Sequence, residues 1–114
     1  MRYCLALDLK DDAKAIERYK KAHEKEQFRP EITESIKAAG IEDMHIYITG
    51  NRLFMIMEVR DDFDFKRKAS MDAANPHVQD WENFVEQFQQ RLPWAQEGEK
   101  WVLMEQIYAL EKEN

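Results

Sequence analysis

The stretch "IYITGNRLFMIMEV", residues 46–59, restricts the possible fold more than any other part of the chain. Two alternating runs flank Thr49-Gly50-Asn51. Alternation is the strand period, and a short Gly/Asn connection between two such runs predicts a β-hairpin. Met44, Ile46 and Ile48 fall on one face of the first strand. Leu53, Met55, Met57 and Val59 fall on one face of the second. The other faces, with His45, Tyr47, Phe54, Ile56 and Glu58, are mixed. A hairpin apolar on one side and mixed on the other belongs inside a larger sheet with material on both faces.

The flanking segments supply that sheet. "RYCLALDL" (2–9) alternates, with Tyr3, Leu5, Leu7 and Leu9 on one face and Cys4, Ala6 and Asp8 on the other. "KDDAKAIERYKKAHEK" predicts a helix capped by Asp11 or Asp12. "RPEITESIKAAG" predicts another, with Pro30 in its first turn and Gly40 at its end. A short helix is expected within 61–71. Asn75-Pro76 opens a further one, carrying Val78, Trp81, Phe84, Val85 and Phe88 at helical spacing. "LPWAQEGE" is a loop, and "KWVLMEQIYAL" is expected as a last strand.

The order β-α-β-β-α-β, with an extra helical turn or two, predicts an α+β ferredoxin-like sandwich. Its four-stranded antiparallel sheet would carry its helices on one face. Both sides of the last segment are apolar, so the open face is expected to be covered by a second copy. A homodimer, closing as a dimeric α/β barrel, is the expected assembly.

At 114 residues the chain is read as one domain, 1–114. A net charge of −6 without a basic block argues against nucleic acid as a partner. No run approaches the roughly 20 apolar residues of a membrane span. One cysteine, Cys4, excludes an internal disulfide framework. "MRYCLALDLK" is too short and too alternating for a signal peptide, so a cytoplasmic protein is expected. The three histidines lie in no metal-ligand spacing; no metal and no cofactor are expected. A glycine-rich phosphate loop and a G-x-S-x-G elbow are both missing from the sequence.

What remains is acid–base chemistry. In "ERYKKAH", Tyr19 and His23 are four apart and share a helix face with Ile16. A histidine exchanges protons near neutral pH. The plainer reading is a packed Tyr followed by a helix-end His, which the helix dipole alone would favour. Trp81 could wall a ligand or simply sit in the core, and Trp94 could plug a loop. Glu58, Glu82, Glu105 and Gln106 are the other polar candidates; Glu58 and Glu105 interrupt apolar faces and would need partners if buried.

The chain resembles the L-rhamnose mutarotase family of sugar 1-epimerases, from "YCLALDL" to "MEQIYAL". The residues that carry the resemblance are "YKKAH" followed by "FRPE", the hairpin "IYITGNRLFMIMEV", and "NPHVQDWENF". The resemblance implies a cofactor-free dimer that interconverts the α and β anomers of a pyranose. It gives His23 the acid/base role and Tyr19 and Trp81 binding roles. Glu82 stands where the family has a second Trp, Met44 where it has a Tyr, and "FRPE" where it has Trp-Pro-Glu. Glu82 and Met44 are therefore expected at the substrate, with L-rhamnose and L-fucose, two 6-deoxyhexoses, both open. A cofactor-free monooxygenase of the dimeric ferredoxin-like type and a non-catalytic sugar-binding module are the alternatives.

Overall fold

The computed structural model describes residues 1–111. In chain order the elements are β1 (Arg2–Leu9), α1 (Ala13–Ala22), α2 (Pro30–Ala38), β2 (Ile41–Thr49), β3 (Arg52–Val59), α3 (Phe65–Ala73), α4 (Pro76–Glu86), β4 (Gln89–Gln90) and β5 (Val102–Leu103). The strands run β2-β3-β1-β4, with β5 also pairing β1, and every pairing is antiparallel. This is the ferredoxin-like α+β arrangement.

Local chemistry sets the element ends. The β2–β3 turn is the two-residue Gly50-Asn51 connection, with Gly50 at φ 56°. A glycine first in such a turn matches the twist of the strands it joins. Asp12 caps α1 by accepting from the Ala15 N–H at 3.1 Å, and Asn75 caps α4 by accepting from His77 and Val78. Pro30 and Pro76 sit in the first turns of α2 and α4. Gly40, at φ 95°, follows α2 and turns the chain into β2.

Register then builds the core. Tyr3↔Met57, Leu5↔Met55 and Leu7↔Leu53 align the apolar faces of β1 and β3. Leu5, Leu7, Leu9, Leu53, Met55, Met57 and Val59 are buried there, beneath Tyr19 of α1, Ile32 of α2, and Val78 and Val85 of α4. The opposite face carries a buried ion. Asp8 is 5% exposed, and Arg52 across the strand pair grips both its carboxylate oxygens at 2.8 and 3.2 Å. That bidentate grip offsets much of the cost of removing the carboxylate from water.

Two expectations need correction. Residues 100–110 do not form one long strand. Only Val102–Leu103 pairs with β1, extended by the Met104 N–H to the Cys4 carbonyl at 2.7 Å. Residues 104–109 have no regular secondary structure. β3 occupies one edge of β1, and two segments share the other edge. β4 takes Asp8 and Leu9, and β5 takes Leu5 and Ala6. Nor is Trp94 a plug: it is 60% exposed, with the Arg52 guanidinium 5.3 Å above its ring. Among the described residues no helix is long and apolar enough to cross a membrane.

Candidate active site

The helix-covered face of the sheet opens into a cleft of about 330 Å³. Leu5, Ile46, Met55 and Met57 contribute its sheet side; α1, α2, α3 and α4 supply the walls. That volume is at the lower end of the range for small-molecule sites.

His23 sits at the C-terminal end of α1. Its Nδ1 lies 2.8 Å from the Tyr19 carbonyl oxygen. A carbonyl oxygen only accepts, so Nδ1 carries the proton and neutral His23 keeps its lone pair on Nε2. Aromatic rings surround the imidazole: Tyr19 at 4.4 Å, Trp81 at 5.2 Å and Phe28 at 5.6 Å between centroids. Burial among them lowers the His23 pKa, against a smaller upward pull from the Tyr19 carbonyl. The buried His23 imidazole thus favours its neutral form.

Tyr19 is 4% exposed and packs on Leu9, Leu53 and Phe88. Burial pushes its phenol up to about 12; the neighbouring Gln89 side chain pulls it down, and the Glu82 charge adds a smaller upward push. The phenol therefore remains a neutral hydrogen-bonding group rather than a base. Gln89 reaches the cleft from β4, on the same face as Leu9. Its Oε1 is the one buried side-chain polar atom without a hydrogen-bond partner among the described residues.

α4 brings Trp81 and Glu82 to the same cleft. Trp81 meets His23 and Phe28 edge-on, and the Arg29 guanidinium lies 5.4 Å from its ring. Lys100 holds one oxygen of Glu82 at 2.6 Å and also reaches Glu86 at 3.4 Å. Met44 of β2 completes the set. All five residues singled out from the sequence, Tyr19, His23, Met44, Trp81 and Glu82, line one cleft.

Other polar candidates lie elsewhere. Glu58 pairs with Arg2 at 2.7 Å, His45 pairs with Asp43 at 2.9 Å, and His77, Glu105 and Gln106 are exposed. Sequence reasoning missed Phe28, Lys68, Asp72, Gln89 and Lys100. Phe28 was legible in "FRPE". Lys68 and Asp72 carry an i,i+4 signal of opposite charge, whereas Gln89 and Lys100 reach the site only through tertiary packing.

Among relatives, an L-fucose mutarotase from Xanthomonas campestris pv. campestris is 41% identical over 109 residues, covering 96% of this chain and 87% of that one. In fold, the chain is similar to an L-rhamnose mutarotase from Formosa agariphila, with a TM-score of 0.69 at 24% identity, over 97% of this chain and 99% of that one. It is also similar to the tetracenomycin F2 cyclase of Streptomyces glaucescens, a type-II polyketide cyclase, with a TM-score of 0.62 at 17% identity over 99% of both. The family model described as L-rhamnose mutarotase matches residues 2–110. The chain belongs to the L-rhamnose mutarotase family, and so to the carbohydrate-acting enzymes.

Proposed function

We propose that this enzyme interconverts the α and β anomers of a 6-deoxyhexose pyranose, L-rhamnose or L-fucose, through proton transfer by His23. The observation that carries the reading is a neutral histidine, its tautomer fixed, on the wall of a largely apolar cleft of monosaccharide size. Nε2 takes the proton from the anomeric hydroxyl and, as the imidazolium, gives it to the ring oxygen as the C1–O5 bond breaks. Rotation about C1–C2 presents the other face of the aldehyde. Closure then reverses the transfers, and His23 returns the proton. No electron changes hands, and the chemistry calls for no cofactor.

The neighbouring groups fit binding roles. The neutral Tyr19 phenol suits a hydroxyl, the Trp81 indole an apolar sugar face, and Met44 the C6 methyl of a deoxy sugar. Glu82, oriented by Lys100, supplies a carboxylate where the rhamnose-type pattern has an indole. Similarity to an L-fucose mutarotase supports a fucose-type hydroxyl pattern. Saturation-transfer NMR of anomer exchange over a panel of aldoses tests the function. Exchange of L-fucose or L-rhamnose above the spontaneous rate is expected; none on any aldose would refute the reading. In the same assay Glu82→Trp should shift the L-fucose to L-rhamnose ratio, and an unchanged ratio removes Glu82 from specificity.

The enzyme is proposed to act as a homodimer of the α/β-barrel type. Ile107, Tyr108 and Leu110 are 91%, 74% and 87% exposed, and they border a hollow with Cys4 and Phe54 on the sheet face away from the helices. A second copy covering that face would bury them. Light scattering at micromolar concentration should return twice the chain mass of 13.7 kDa. A monomer mass would refute the dimer while leaving the cleft chemistry standing.

A further inference from the structure

α3 differs from the other helices: none of its residues is buried in the core. Yet Phe65, Lys68, Ala69 and Asp72 all line the cleft. Their spacing of three, one and three is a single helical face. α3 is thus a wall of the cleft rather than a part of the core. The two polar members of that face are already paired, with Lys68 Nζ 2.5 Å from Asp72 Oδ2. Their side chains are 28% and 23% exposed, whereas those of the surface pair Lys21–Glu17 are 66% and 69% exposed. A half-buried ion pair is poorly solvated and retains unused capacity. Asp72 commits one carboxylate oxygen, and the Lys68 ammonium keeps further N–H donors.

The pair is also held in place. The Asp72 carbonyl accepts from Gln79 Nε2 at 2.9 Å, which ties the end of α3 to the helix that bears Trp81 and Glu82.

We propose that Lys68 and Asp72 form a diol-recognition pair that sets the substrate specificity of the cleft. This rests on the pyranose reading above. One sugar hydroxyl donates to the Asp72 carboxylate, and the oxygen of its neighbour accepts from the Lys68 ammonium. Charge-assisted bonds of this kind are stronger and more directional than neutral ones. The pair reads two adjacent hydroxyls together, so it rewards one relative stereochemistry and penalises a sugar that lacks either group.

The test uses Asp72→Asn, Lys68→Met and the exchanged pair Lys68→Asp/Asp72→Lys. Anomer exchange is followed by NMR on the aldose the wild type turns over best, and on its monodeoxy analogues. Each single variant should raise KM by roughly tenfold or more, with kcat changed far less, because uniform binding is lost. The wild-type preference for the complete diol should shrink in both. The exchanged pair keeps an i,i+4 ion pair and should melt like the wild type, but it should not recover the KM. A purely helix-stabilising pair behaves in the opposite way: the singles leave KM alone, or the exchange restores it. Either result overturns the proposal. A wild type that exchanges no aldose overturns the mutarotase reading, and the role of this pair falls with it. Exchange with unaltered KM in folded variants overturns the pair alone.

Discussion

His23→Ala should lose most of the anomer-exchange acceleration, on the order of 10²- to 10⁴-fold, while remaining folded. The size follows from the role: a positioned general base contributes that much, and no second histidine lines the cleft. The structural cost is smaller. Losing the ring's bond to the Tyr19 carbonyl costs about 1 kcal/mol, so thermal melting should shift only slightly. The pH profile gives an independent reading. Burial lowers the His23 pKa, so kcat/KM should fall on the acid side with a midpoint below 6.5. Stability follows the same sign. The unfolded chain takes up the proton first as pH falls, so the His23 contribution is complete well above 6.5 and is lost as pH drops through the lowered folded value. Full exchange activity in folded His23→Ala would sink the assignment. Tyr19→Phe keeps the ring packing and removes the hydroxyl; it should weaken sugar binding with little change in melting.

Leu9→Ala should be the most destabilising of the simple truncations, at about 2–5 kcal/mol. Leu9 is fully buried, in a cluster with Ala15, Tyr19, Leu53, Val85 and Phe88. It lies where β1, α1, β3 and α4 meet, so no one side chain can relax into the space left behind. The same cluster supports Tyr19, and through it the His23 ring. Urea unfolding should therefore show a lowered midpoint with an unchanged slope, and sugar binding should weaken as well. A loss under about 1 kcal/mol would mean that the cluster is not the keystone of this packing.

How far the sequence could be read depended on whether a signal was local. The hairpin was legible because alternation and a Gly-Asn turn act within a few residues, and α4 because Asn75-Pro76 starts it and its apolar stripe is regular. Tyr19, His23 and Trp81 were legible for the same reason. The last strand misled because residues 101–110 are apolar on both sides, which looks like a strand buried on both faces. Pairing depends instead on a free edge, and Gln89-Gln90, a dipeptide with no strand character, claims part of it. The cleft face of α3 was hidden for a different reason. Phe65, Lys68, Ala69 and Asp72 make a stripe that is half charged, and hydrophobic period cannot reveal such a stripe. Lys100 reaches Glu82 across 18 residues, a distance over which no local rule operates.

The bond between His23 and Tyr19 bears on how this site could change. In a continuing helix, the Tyr19 carbonyl would belong to the backbone N–H four residues on, which is that of His23 itself. Here that N–H turns to the Lys20 carbonyl at 3.1 Å, and the imidazole takes the vacated acceptor. The residue that stops α1 is therefore also the one proposed to move the proton. One more helical turn would make the ring share that acceptor with the main chain and would hold its tautomer less firmly. Length and chemistry are locked together at that single position, so insertions that lengthen α1 should be far less tolerated than changes in the loop that follows it.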